Sequence, residues 1–216
     1  MKIWITRAEP GASRTAERLR ELGHDALNAP VLEVHPLPAA IDLGGVGALA
    51  FTSANGVRAF ADLCRDRGLP VFAVGDTTAQ AARAAGFDMV VSAEGDVDAL
   101  GRAIVAAEGR LAGAVLHPGA RDPAGDLVGA LTKAGMAARA IAVYETRVLP
   151  VTVPPGAEGV LVHSPKAAAA IAGAAVGALA AYCISSAAAA PLAGAVKRLT
   201  VAAEPDETHL LALLAP

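Results

Sequence analysis

The chain of 216 residues repeats itself at a near-constant offset, and that repetition restricts its fold more than any single motif does. Phe51-Thr52-Ser53-Ala54-Asn55 is answered by Val162-His163-Ser164-Pro165-Lys166, 111 positions later. Ala93-Glu94-Gly95-Asp96 is answered by Ala203-Glu204-Pro205-Asp206 at an offset of 110, and Leu22-Gly23 by Ala134-Gly135 at 112. An offset held along the whole chain implies duplication of a β-α-β, crossing strand, β-α-β-α-β-α unit. Strands that alternate with helices require right-handed crossovers and parallel sheets.

Two β-prone stretches closed by proline stand out inside this repeat. Ile141 to Pro150 carries Val143, Tyr144, Thr146 and Val148, and Val31 to Pro38 matches it, with Val31/Val143 and Glu33/Glu145 each 112 apart. As crossings between two lobes, they would place Tyr144 where the lobes face each other. The spacing is equally consistent with a pair of ordinary edge strands holding a packed tyrosine.

The remaining elements follow from periodicity and punctuation. Strands are expected at 2–6, 48–51, 71–74, 89–91, 114–116, 159–162, 181–184 and 199–201, and a further one within 24–30. Helices are expected at 14–22, 57–67, 79–85, 97–107, 126–134 and 206–214, with others after Pro165 and after Ser185-Ser186. Residues 39–47 and 117–121 read as loops. Ala167 to Val196 has no charged residue and is long enough to span a bilayer, but Ser185-Ser186, Pro191 and a strand-like Ala181 to Ile184 interrupt it. It reads as helix, strand, helix in a dense core, with Pro191 kinking the second helix or delaying its start.

Composition closes off several function classes. With 54% hydrophobic and 18% charged residues the chain can bury a core and is not of disordered composition. A net charge of −3 and 3% aromatics leave no basic stripe and few rings for bases, which argues against nucleic acid. Cys64 and Cys183 form no C-x-x-C and read as buried thiols in a reducing compartment. The five histidines are scattered, so no metal is expected. No phosphate-binding G-x-x-x-x-G-K-[ST] or G-x-G-x-x-G is present. Met1 runs directly into a strand and Arg7, so no signal peptide is expected and the cytoplasm is the expected compartment.

In open parallel sheets, ligands bind at the carboxyl ends of the strands. Those ends read Thr6-Arg7, Thr52-Ser53-Ala54-Asn55, Gly75-Asp76-Thr77-Thr78, His117-Pro118-Gly119-Ala120-Arg121, His163-Ser164-Pro165-Lys166 and Ser185-Ser186. Each is expected beside a helix start, where free N–H groups and the dipole suit anions. Such residues also cap helices that bind nothing. Six ends with few carboxylates, and with Arg7, Arg121 and Lys166 nearby, fit a polycarboxylate held between two lobes. The same donors would serve a non-enzymatic cytoplasmic sensor of an anionic metabolite.

In order and spacing, several short stretches resemble the uroporphyrinogen-III synthase family. These are the first strand ending in Thr6-Arg7, Phe51 to Val57, Val74 to Ala79, Val143-Tyr144-Glu145-Thr146 and His163-Ser164-Pro165-Lys166. The resemblance implies an α/β fold of two lobes, each a parallel sheet flanked by helices, joined by a two-stranded β linker. Residues 1–33 and 150–216 would form one lobe, 38–143 the other, and about 31–38 and 142–150 the linker. It implies dehydrative cyclisation of the linear tetrapyrrole hydroxymethylbilane to uroporphyrinogen III, with inversion of ring D through a spiro intermediate and without cofactor. A monomer that engages neither membrane nor nucleic acid is expected. Tyr144 is then the candidate catalytic donor to the departing hydroxyl. Arg7, Thr52, Ser53, Ala54, Gly75, Thr78, Gly119, Arg121, Ser164, Lys166 and Ser185 are the candidate substrate-binding residues. Ser185-Ser186-Ala187-Ala188 departs from the family, where glycine and threonine are common.

Overall fold

The computed structural model describes residues 1–215. Its strands are β1 (Lys2–Ile5), β2 (Asp25–Asn28), β3 (Leu32–Pro36), β4 (Val46–Phe51), β5 (Val71–Ala73), β6 (Val90–Ser92), β7 (Ala114–Ala120), β8 (Ala138–Val148), β9 (Gly159–Val162), β10 (Ala180–Cys183) and β11 (Arg198–Val201). Its α-helices are α1 (Gly11–Glu21), α2 (Ala54–Leu63), α3 (Asp76–Ala84), α4 (Val97–Val105), α5 (Leu127–Lys133), α6 (Pro165–Ala172), α7 (Ser186–Ala189) and α8 (Glu207–Ala212). Two compact units result: Met1–Val34 with the chain from Thr146 onward, and His35–Glu145.

The first unit carries a five-stranded parallel sheet in the order β11-β10-β9-β1-β2. Alternation of side chains along its strands feeds two cores. Ile3, Ile5, Leu161 and Tyr182 pack on one face with Leu19 of α1 and Leu210 of α8. Trp4, Val160, Val162 and Cys183 pack on the other with Ile171 of α6 and Leu192. The second sheet runs β3-β8-β7-β4-β5-β6. One of its faces sets Ala48, Ala50, Phe72 and Val115 against α4 and α5. The other sets Leu49, Phe51, Val71 and Leu116 against Val57 and Phe60 of α2, with Phe87. Read outward from β6 to β8, the second order matches the first strand for strand, as a duplication requires. The helix-stop glycines agree as well: Gly23 and Gly135 take positive φ of 77° and 90°, a region costly for other residues.

β3 and β8 are neighbours and run antiparallel, since Leu149 N–H donates to the Val31 carbonyl and Leu37 N–H to that of Val143, both at 2.9 Å. Elsewhere several expectations need correction. Residues 117–120 continue β7 and do not form a loop. Pairing to β4 ends at Leu116 while pairing to β8 runs on to Ala120, so Pro118 lies where one edge of the strand is already open. As a result this strand end is not followed directly by a helix start of its own, and α5 begins only at Leu127. Helices α1, α2 and α3 begin three residues earlier than periodicity placed them, because the small residues before the apolar stripe are helical. Helix α2 stops at Leu63, four residues short. Arg67 folds back to donate to the carbonyls of Ala61 and Cys64, and to that of Ala85 past the end of α3. Cys64 is therefore only partly buried, whereas Cys183 is buried, and both are free. Pro191 falls in a 3-10 turn, Ala190–Leu192, that ends α7. Among the described residues no helix is long and apolar enough to cross a membrane.

Candidate functional site

In the second unit, β4 delivers Thr52 and Ser53 to the start of α2. Ser53 is extended (φ −159°, ψ 151°) and its Oγ accepts the Gly56 N–H at 3.2 Å, capping the helix. That same Oγ lies 2.9 Å from the Tyr144 hydroxyl. Tyr144 reaches it through an irregularity in the sheet. Gly119 pairs with Ala142, but Ala120 pairs with Tyr144, so Val143 is an extra residue in β8. A one-residue slip of this kind turns the following side chains to the opposite face. Tyr144 is buried, at 7% exposure.

Helix α2 is pressed close to β7, and Gly56 makes that possible. A Cβ at Gly56 would lie 2.8 Å from the Pro118 carbonyl oxygen, closer than atoms approach. Gly56→Ala is expected to cost about 1–3 kcal/mol of stability, as overpacking does, with the shift read from denaturant melts. On the same strand, His117 is 4% exposed and its Nδ1 donates to the Ala50 carbonyl at 2.8 Å. Burial pushes its pKa down, and the Ala50 contact only partly offsets this, so the ring is a neutral Nδ1–H tautomer at pH 7. Thr6 in the first unit does the same work: its Oγ1 donates to the Leu161 carbonyl at 2.7 Å. Both donor and acceptor are displaced by the repeat offset of 111.

The other candidates of this unit are arranged around α3 and β8. Gly75 caps α3 without a side chain, and Thr78 in the first turn is 5% exposed. Arg121 is half-exposed and forms an ion pair with Glu145, while its N–H donates to the Tyr144 carbonyl at 2.8 Å. Ala54 is the first residue of α2 and Gly119 the residue before the slip.

In the first unit, Ser164 caps α6 and Ser185 caps α7, each Oγ accepting an N–H at 3.2 Å, from Ala167 and Ala188. Their backbone angles nearly coincide with those of Ser53. The basic candidates here are already engaged. Lys166 Nζ donates to the Thr146 carbonyl at 2.5 Å. Arg7 Nη1 meets Glu207 Oε2 at 2.8 Å. Glu207 also accepts from Thr15 Oγ1 at 2.5 Å and from His163 Nε2 at 3.0 Å. Burial alone would raise the Glu207 carboxyl, but the His163 and Thr15 hydrogen bonds and the Arg7 charge hold it well below the usual carboxylate range. Burial lowers the pKa of His163, so it serves Glu207 as a neutral donor. Sequence reasoning missed this cluster, because its members come from α1, α8 and the turns after β1 and β9, without shared spacing.

Helix starts differ in what they offer an anion. The first-turn N–H groups have no partner within a helix. Pro165 at the start of α6 has no N–H, and Asp76 at the start of α3 adds a negative charge. Helix α2 has neither defect, and it is the start beside Tyr144. Its Ala54 and Asn55 amides are free of both defects, as are those of Ser186 and Ala187 in the four-residue α7. Among the described residues, no group of three or more His, Cys, Asp or Glu side chains is placed to hold a metal.

The family model described as uroporphyrinogen-III synthase HemD matches residues 13–212. The solved uroporphyrinogen-III synthetase from Helicobacter pylori 26695 superposes with a TM-score of 0.72 at 18% identity, covering 99% of this chain and 97% of that one. A mutant uroporphyrinogen III synthase from the extremely thermophilic bacterium Thermus thermophilus gives 0.59 at 15% identity, over 99% and 96%. At such identities the structural likeness speaks for the fold. A sequence search of curated proteins gives no match.

Proposed function

The chain belongs to the uroporphyrinogen-III synthase family, matched over 13–212, and from that premise we propose that it catalyses the family reaction itself. Hydroxymethylbilane loses its hydroxyl as water to give an azafulvene, and the substituted α-carbon of ring D attacks the azafulvene methylene to form a spiro intermediate. The original bond from that carbon to the bridge with ring C then breaks, and the free α-carbon of ring D closes on the released bridge with loss of a proton, giving uroporphyrinogen III with ring D inverted. The observation that carries the reading is the Tyr144 hydroxyl held beside the uncompromised start of α2. A phenol O–H is a hydrogen-bond donor and can donate to the departing hydroxyl. The substrate bears carboxylates along its length, and the Ala54 and Asn55 amides suit one of them. Thr52, Gly75, Thr78, Gly119, Ser164 and Ser185 are proposed as further substrate contacts. Arg7 and Lys166 act less directly, since each already has an intramolecular partner. The rest of the work is positioning: the reactive azafulvene must be held in the conformation that inverts ring D, away from water. We propose a cytoplasmic monomer that needs no cofactor.

The test is the reaction. Purified protein incubated with hydroxymethylbilane, followed by oxidation and chromatography of the porphyrins, is expected to yield predominantly isomer III. Isomer I alone, the product of spontaneous closure, would overturn the enzyme reading in favour of a sensor of an anionic metabolite.

A further inference from the structure

Ser53 carries out two tasks with one oxygen, and the proton count on that oxygen has a consequence for Tyr144. A serine hydroxyl has one proton and two lone pairs. One lone pair of Ser53 takes the Gly56 N–H at 3.2 Å. The contact to Tyr144 at 2.9 Å then uses either the Ser53 proton or the remaining lone pair. When Tyr144 donates its own proton to a departing hydroxyl, that proton is no longer available to Ser53. The contact survives only with Ser53 as donor. The chain of donors then runs in one direction, from Gly56 N–H to Ser53 Oγ–H, from Ser53 to Tyr144 Oη–H, and outward from there.

We infer that Ser53 is a positioning residue that acts through Tyr144, and that it is not a ligand for a substrate carboxylate. The inference rests on the reading of Tyr144 as the donor to the leaving group. Two physical effects follow from the geometry. The contact fixes the phenol direction at the end of a side chain otherwise free to turn about its C–O bond. It also backs the phenol oxygen with the positive end of α2, so that charge developing there as the hydroxyl departs is stabilised. The other helix-capping serines, Ser164 and Ser185, have nearly the same backbone angles and the same 3.2 Å cap. Among the described residues, neither of these hydroxyls hydrogen-bonds a tyrosine, and the Tyr182 hydroxyl accepts from Arg198 instead. Coupling to a phenol is therefore a property added to the cap at Ser53 and not a property of the cap itself.

A double-mutant cycle tests this. Ser53→Ala is expected to lower kcat about three- to tenfold with little change in KM, because the group lost assists the transition state without binding substrate. In a Tyr144→Phe background the same substitution should change kcat by less than about twofold, since the group it acts through is gone. Ser53→Gly keeps most of the capping stability and should lose as much turnover as Ser53→Ala, while Ser53→Thr restores a hydroxyl and should recover it. Melting temperatures of all variants separate cap loss from kinetic loss. An equal loss of kcat in both backgrounds, or a rise in KM at constant kcat, overturns the role through Tyr144 and leaves the reading of Tyr144 standing. Normal turnover of Tyr144→Phe overturns that reading and this inference together.

Discussion

Tyr144→Phe is expected to lower turnover about ten- to hundred-fold, the value of one transition-state hydrogen bond of about 1–3 kcal/mol. On the proposed mechanism the isomer formed should remain type III, because positioning of the bound azafulvene would select it and the phenol would not. Isomer I should grow only as uncatalysed background. Stability also responds, because Tyr144 is buried and its hydroxyl bonds Ser53. The loss should be about 0.5–1.5 kcal/mol, the net value of one hydrogen bond, since Ser53 keeps its contact to Gly56. A tyrosine that merely packs in the sheet predicts the opposite division: lower melting temperature with near-normal turnover per folded molecule. Turnover and melting temperature measured on one preparation decide between them. Near-normal turnover in a well-folded variant removes Tyr144 from the chemistry and leaves positioning as the mechanism.

The repeat made much of this fold legible. Its offset paired Ser53 with Ser164 and Gly23 with Gly135, and the members of each pair occupy matching conformations. It also contained a pairing that goes unnoticed until both units are seen: Thr6 with Leu161 and His117 with Ala50 stand at the same offset. Register was not legible. Nothing in Val143-Tyr144 announces that Val143 is an extra residue, because both side chains suit either face of a buried strand. Strand length failed for a related reason. Pro118 and Gly119 read as loop residues, but a strand whose one edge is open accommodates them. The cluster around Glu207 was the least legible of all. A carboxylate at the first position of α8 is an ordinary helix-start residue by sequence, and only the folded sheet brings Arg7 and His163 to it.

Glu207→Ala is expected to cost about 2–3 kcal/mol at pH 7, more than any surface pair would. Three donors converge on this carboxylate and lose it in the alanine variant: the Arg7 guanidinium, the Thr15 hydroxyl and the His163 Nε2–H. Breaking a fully buried pair costs about 3–5 kcal/mol. The side chains of Glu207 and Arg7 retain 21% and 31% exposure, so water recovers part of that. The sign of the pH dependence follows from the carboxyl being held below its usual 4.5 in the folded state. The stabilisation is present above that ordinary value and is lost as pH falls below it, because the folded state resists the proton that the unfolded chain accepts. His163 adds to the acid sensitivity of the wild type: burial lowers its pKa, and a proton added at its buried Nδ1 would find no acceptor. The wild type should therefore lead the variant by its full margin at pH 7, and the margin should narrow to less than about 1 kcal/mol near pH 3. Urea melts at the two pH values give the difference directly. A margin that is unchanged between them would mean that the helix start, and not the ionised carboxylate, is what Glu207 contributes.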